Sequence, residues 1–335
     1  MKAYQSIIQS RKQIIMPLTF DKALGLLFTL CISALGCDFA QAQLPSEVDP
    51  TLNSLVSYED TLAMLGDSVV GGSSYEVREA ACLKFIPLLV KALKTEGSYE
   101  YEFEKIRTLS VVQAPDDKFR LFTFQMELWD RTYRYFGAMQ FNEKELDLVP
   151  LIDASLFINP KVSQDTILDS DNWYGALYYN ISSRKHKGKT YYFLFGLDGW
   201  DMFSTKKIVE VMYIEKGKLV FGAPVFATTE QGPPYLNRFV LQYKKDSGVG
   251  LNYDAYLEQI IYDHLVPENP LSEGIYSTYI GDGSYSGYTW EKGKWIYVDK
   301  VFDQMQAFPP DNSPPPSDKK DPFNYEDKIK KTPKN

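Results

Sequence analysis

The sequence predicts an α+β fold: an N-terminal helical pair packed on a large, mostly antiparallel β-sheet system. Three observations lead there. The apolar residues recur near a helical period up to about residue 95 and switch to a period of two from Ile106 onward. The chain holds 24 Tyr, 20 Phe and 5 Trp, side chains that favour strands and aromatic-rich cores over helical bundles. Lys-Gly-Lys occurs three times between strand-like runs, and glycine supplies the positive φ that a tight hairpin needs. An apolar content of 44% with 24% charge excludes wholesale disorder.

Residues 1–42 have the pattern of a signal peptide. Lys22 precedes the uncharged run Ala23–Gly36, which is shorter than the ~20 apolar residues a membrane-spanning helix needs. Ala40-Gln41-Ala42 then offers a small-x-small cleavage site with Gln43 as the new N-terminus, and Met16 is an alternative start. Leu35-Gly36-Cys37 competes with it, because it resembles a bacterial lipobox in which Cys37 is lipidated, although Ala34 stands where Leu is expected. The intact A-x-A site favours the soluble, periplasmic or secreted product, and acylation of Cys37 would give an outer-membrane-anchored one. Cleavage after Ala42 leaves Cys82 as the remaining thiol, so no disulfide framework is expected. No transmembrane helix is expected in the mature chain.

The elements follow in order. Ser73 precedes Glu76 at capping-box spacing, and Val77, Ala81, Phe85, Leu88, Leu89 and Ala92 form one helical stripe, with Cys82 as a small core residue and a kink at Pro87. A shorter helix over 58–69 pairs with it through Gly71-Gly72. Alternation predicts strands at 121–128, 133–141, 173–181, 191–197, 208–214, 219–226, 239–243, 259–264, 287–290 and 295–298. Tyr191–Leu197 is apolar on both faces and therefore central. Pro115-Asp116-Asp117-Lys118 is a turn, and the lysines at Lys187, Lys216 and Lys292 are solvated hairpin tips rather than a basic patch. A single domain is expected over 43–305, its helical part at 43–100 and its β-rich part at 101–305, followed by a disordered Pro/Lys-rich tail over 306–335.

Composition also narrows function. A net charge of −8 argues against nucleic acid as a partner. Two His and three Cys remove most zinc and haem sites, so no metal or cofactor is implied. His186 is expected in a solvated turn and His264 as a hydrogen-bonded structural residue. Asp169-Ser170-Asp171-Asn172 begins like a calcium loop, but Trp173 occupies the third ligand position. No G-x-S-x-G elbow is present.

Two segments carry the candidate chemistry. Asp198, Trp200 and Asp201 lie in a loop after the central strand, and Asp282, Tyr285 and Tyr288 lie in a second, Gly-rich loop. Carboxylates beside aromatic platforms suit glycan recognition, either by binding or by carboxylate-dependent hydrolysis. The same residues also serve as ordinary turn and core material. Three classes stand: a non-catalytic binding or envelope-associated protein for a glycan, peptide or surface partner; a glycan-directed hydrolase; and a structural subunit of an envelope assembly.

The blocks FLFGLDGWDMFSTKKIVEV (193–211), FGAPVF (221–226), LNYD (251–254), YDHL (262–265) and GDGSYSGYTWEKGKWIYVDKVF (281–302), with Phe119–Phe124, resemble a group of exported proteins of Bacteroidetes-type bacteria. The resemblance spans roughly 77–302. It implies export and an α+β build, and it carries over no catalytic residue.

Overall fold

The structure is a computed structural model and describes residues 50–158, 163–230 and 232–302. The expected signal peptide over 1–42, Cys37, the expected cleavage after Ala42 and the expected tail over 306–335 lie outside the described residues. Helix α1 (Pro50–Gly71) is longer than the period alone suggests, because Leu55, Leu62 and Val69 continue one buried stripe toward its start. Helix α2 (Tyr75–Leu93) is capped one residue later than expected: the Ser74 hydroxyl accepts from the Val77 amide at 3.4 Å. Helix α2 runs through Pro87, buries Phe85 and Leu89, and leaves Val77 exposed. Cys82 is buried among these residues, and burial pushes its thiol up to about 12.

Three sheets follow. The first is antiparallel and ordered β1-β2-β3-β4, with β1 at Ser110–Gln113, β2 at Phe119–Glu127, β3 at Tyr133–Phe141 and β4 at Leu148–Ile152. Alternation along β2 divides its side chains. Phe122, Phe124 and Met126 pack with the helices, and Phe119 and Leu121 face the other way.

The second sheet takes that other face. Its order is β5-β9-β8-β7-β6, with β5 at Leu168–Asp169, β6 at Leu177–His186, β7 at Lys189–Asp198, β8 at Ser204–Glu215 and β9 at Lys218–Phe221. Strand β12 (Phe239–Lys244) pairs with the first half of β8. Strand β7 is interior, as its doubly apolar sequence requires. Its Tyr192 and Leu194 pack toward sheet one, and its Phe193 and Phe195 pack toward the third sheet.

The third sheet runs β11-β10-β16-β15-β14-β13. The strands are β10 (Phe226–Thr229), β11 (Gly232–Leu236), β13 (Leu251–Asp254), β14 (Gln259–Pro267), β15 (Tyr279–Glu291) and β16 (Lys294–Val298). Helices and sheets thus form four successive layers over three apolar clusters.

All three Lys-Gly-Lys strings close two-residue hairpins. Register pairs His186 with Lys189, Glu215 with Lys218 and Glu291 with Lys294. Lys187, Lys216 and Lys292 have φ of 48°, 52° and 50°, and the glycine after each is also positive, which is type I′ geometry. Three expectations need correction. Residues 174–176 are buried but not strand, and Trp173 makes an isolated parallel bridge to Asp153 instead of extending β6, with Gly175 lying against Asp153 and Tyr135. The run 219–226 divides into β9 and β10, since Gly222 takes φ 101° between them. His186 is half-buried rather than solvated, because Gly293 at the neighbouring hairpin tip lies against its imidazole.

Candidate functional site

The segment after β7 is built inward. By strand alternation Asp198 lies on the face toward sheet one, at the end of the sandwich, and it is 2% exposed. Its Oδ1 accepts from the Tyr135 hydroxyl at 3.0 Å and the Trp200 amide at 2.9 Å, and its Oδ2 accepts from the Tyr174 hydroxyl at 3.2 Å. The Gly199 amide donates to the Tyr135 hydroxyl at 2.7 Å. Lys206, the register partner of Asp198 on β8, donates to the Tyr174 hydroxyl at 3.3 Å, and its ammonium lies over the Trp200 ring. Burial raises the Asp198 carboxyl above the ordinary value, with Lys206 opposing. Burial likewise lowers Lys206 to about 8, with Asp198 and Asp201 opposing.

Asp201 closes the same loop. Its Oδ1 accepts from the amides of Phe203 at 2.8 Å and Ser204 at 2.7 Å, an Asx turn that feeds the chain into β8. Trp200 is half-buried and takes φ 48°. Both oxygens of Asp198 are therefore bonded within the protein, and the carboxylate is all but closed to solvent.

The second segment is not a loop. Strand β15 runs through Asp282, Tyr285 and Tyr288 without interruption. Register pairs Tyr285 with Asp263 and Gly281 with Leu265, so three residues of β15 stand opposite one of β14, a bulge centred on Asp282-Gly283-Ser284. Asp282 is exposed and accepts from the Ser284 amide at 2.9 Å and hydroxyl at 2.7 Å. Those bonds hold its carboxyl below the usual value. Tyr288 is 3% exposed and packs its ring against Phe226 and Phe239, so it is core. His264 shares a hydrogen bond of 3.2 Å between Nδ1 and the Ser286 Oγ. That serine is fully buried and donates to the Asp299 carbonyl at 2.9 Å, which withholds it from nucleophilic use.

Tyr285 faces outward, at the wall of a groove of about 340 Å³ on the outer face of sheet three. Its ring meets Phe302 edge-on at 5.7 Å. Asp263, its cross-strand partner, accepts from the Gly250 amide through Oδ2, and its Oδ1 has no hydrogen bond among the described residues. Asp254 holds the Tyr256 and Leu257 amides through Oδ1, and its Oδ2 has no hydrogen bond among the described residues. Asn252 accepts through Oδ1 from the Asn180 amide group at 2.6 Å, and its Nδ2 makes no hydrogen bond among the described residues. The groove therefore presents an aromatic wall, carboxylate acceptors and one amide donor, the make-up of a polar ligand site.

No hydrogen bond or ion pair among the described residues joins Asp198 or Asp201 to Asp282 or Tyr285. Of the six candidates, Tyr285 alone lines the groove. Asn252, Asp254 and Asp263 escaped sequence reasoning because they sit in short alternating runs; the signal is the outward carboxylate or amide on each of two paired strands in LNYD and YDHL.

A second hollow, of about 380 Å³, lies beside the first sheet and is lined by Tyr99, Glu100, Glu102, Glu104, Asp117 and Arg120 among others. Arg120 is occupied there. Its guanidinium donates to the Gln140 side chain at 2.9 Å, to the Tyr101 carbonyl at 2.7 Å and to the Ser98 carbonyl, and burial pushes it down to about 10. No group of His, Cys, Asp and Glu among the described residues is arranged to hold a metal ion. No described helix is long and apolar enough to cross a membrane.

The chain matches no model of a known protein family, and no curated protein matches it.

Proposed function

We propose that this is an exported, non-catalytic binding protein of a bacterial envelope, which takes a glycan in the groove on the outer face of sheet three. One observation carries the reading. Asn252, Asp254 and Asp263 line a groove walled by Tyr285 and each keeps a polar atom without a hydrogen bond among the described residues, whereas the carboxylate of Asp198 is buried and bonded through both oxygens. Concave sites with an apolar wall and a few unsatisfied polar groups are where small ligands bind. Export rests on the charged flank, short apolar run and A-x-A order of residues 1–42, and on the resemblance to exported bacterial proteins.

Two measurements on the full chain test this. Expressed in a bacterial host, the protein is expected outside the cytoplasm with Gln43 as its N-terminal residue; retention of residues 1–42 contradicts export, and acyl labelling lost on Cys37→Ala selects the anchored form. In a thermal-shift screen against oligosaccharides, a ligand at 100 times its Kd adds about 2.7 kcal/mol of stability. A midpoint rise of roughly five degrees, lost in Tyr285→Ala, is expected. A rise that survives Tyr285→Ala places the ligand elsewhere.

A further inference from the structure

The groove also carries information about which glycan it accepts, and this inference rests on reading it as the binding site. Among the described residues, Asp263 Oδ1 and Asp254 Oδ2 are lining acceptors with no hydrogen bond, and Asn252 Nδ2 and the Tyr285 hydroxyl are lining donors with none. No Lys or Arg lines it. Two cations stand behind the lining: Lys207 is partly buried and feels the Asp263 charge, and Arg184 is engaged by the ring and hydroxyl of Tyr253. A ligand bearing carboxylate, sulfate or phosphate would meet two carboxylates with no lining cation to offset them, and like charges at short range are repulsive. A ligand bearing several hydroxyls or an amine supplies the donors that these acceptors lack.

Peptide recognition by strand addition needs an open sheet edge. Strand β13 is the edge of sheet three at the groove, and two side chains of β6 already bond to it. The Tyr179 hydroxyl donates to the Leu251 carbonyl at 2.6 Å, and Asn180 donates to Asn252 at 2.6 Å. Gly250, just before β13, and Gly281 on β15 place no side chain of their own beside Asp263. A hydroxyl-rich ring suits the exposed aromatic wall of Tyr285.

We infer that the groove binds a non-acidic saccharide, neutral or amine-bearing, with its ring against Tyr285 and its hydroxyl or amine donors on Asp263 and Asp254. The test is calorimetric titration of the full chain with neutral tetrasaccharides of glucose and N-acetylglucosamine, a glucosamine tetrasaccharide, a galacturonate tetrasaccharide and a neutral decapeptide. A neutral or amine-bearing saccharide is expected to bind with one-to-one stoichiometry. Tyr285→Ala and Asn252→Ala are each expected to weaken it, Tyr285→Ala by about tenfold or more. Asp263→Asn should weaken the amine-bearing saccharide more than the neutral ones, with an unchanged thermal midpoint confirming that the variant is folded. Tightest binding by galacturonate, or by the peptide, with the same dependence on Tyr285 overturns the inference while leaving the groove a binding site. Binding of no probe, or binding indifferent to both Tyr285→Ala and Asn252→Ala, overturns the inference together with the reading on which it rests.

Discussion

The end of sheet two and the outer face of sheet three are made from the same letters, Asp and Gly beside aromatic residues, and are built for opposite purposes. Around Asp198 three donors converge on one carboxylate, and Lys206 and Trp200 close over it. Around Asp263 one backbone amide uses one oxygen and the other remains open beside Tyr285. Composition does not separate the two; commitment of polar atoms does. A buried acid with both oxygens engaged stabilises a fold, and leaving its partners unpaired is costly. A half-exposed acid with an open oxygen beside a groove is available to a ligand.

Substitutions break that comparison at different strengths. The largest effect belongs to Tyr288, whose ring fills the core of sheet three. Tyr288→Ala is expected to cost about 3–5 kcal/mol in chemical denaturation, as for large aromatic truncations in cores. A loss below about 1 kcal/mol would show that Tyr288 is not held as the packing implies. Next comes Asp198→Ala, which strands the Tyr135 and Tyr174 hydroxyls and the Trp200 amide. Denaturation should register about 2–4 kcal/mol. Unchanged stability with lost ligand binding would exchange the roles of the two regions.

Lys206 gives a smaller effect with a defined sign. Burial lowers its folded value to about 8, so between about pH 8 and its unfolded value the unfolded chain binds more protons. Stability attributable to Lys206 therefore rises with pH across that window. Relative to Lys206→Met, the wild type should gain about 1–2 kcal/mol between pH 7.5 and 9.5. A difference that is flat with pH would mean that Lys206 is solvated. The smallest effect is expected at Tyr285, which is 36% exposed: Tyr285→Ala should change stability by about 0.5 kcal/mol or less while removing ligand binding.

Much of the fold was legible because local chemistry and tertiary need agreed. The Lys-Gly-Lys strings became type I′ turns, and the doubly apolar run Tyr191–Leu197 became an interior strand between two cores. Where the reading slipped, a long-range partner decided. Gly175 and the residues before it pack on Asp153 instead of extending β6, and Asp282-Gly283-Ser284 bulges within a strand whose hydrogen bonds resume on either side. The site was less legible. Alternation reveals that Asp263 and Tyr285 belong to strands, but their cross-strand pairing depends on a register that the bulge shifts. Asp198 looked like a site residue because its partners, Tyr135 and Tyr174, are 63 and 24 residues away in the chain.

The most direct test of this division is hydrogen exchange, read peptide by peptide, with and without a saturating oligosaccharide that binds the full chain. Protection confined to 250–254, 259–265 and 281–287, with 198–206 unchanged, is the predicted result. Protection at 198–206 with the outer face of sheet three unchanged would contradict it, and would make the closed end of sheet two the place where the ligand enters.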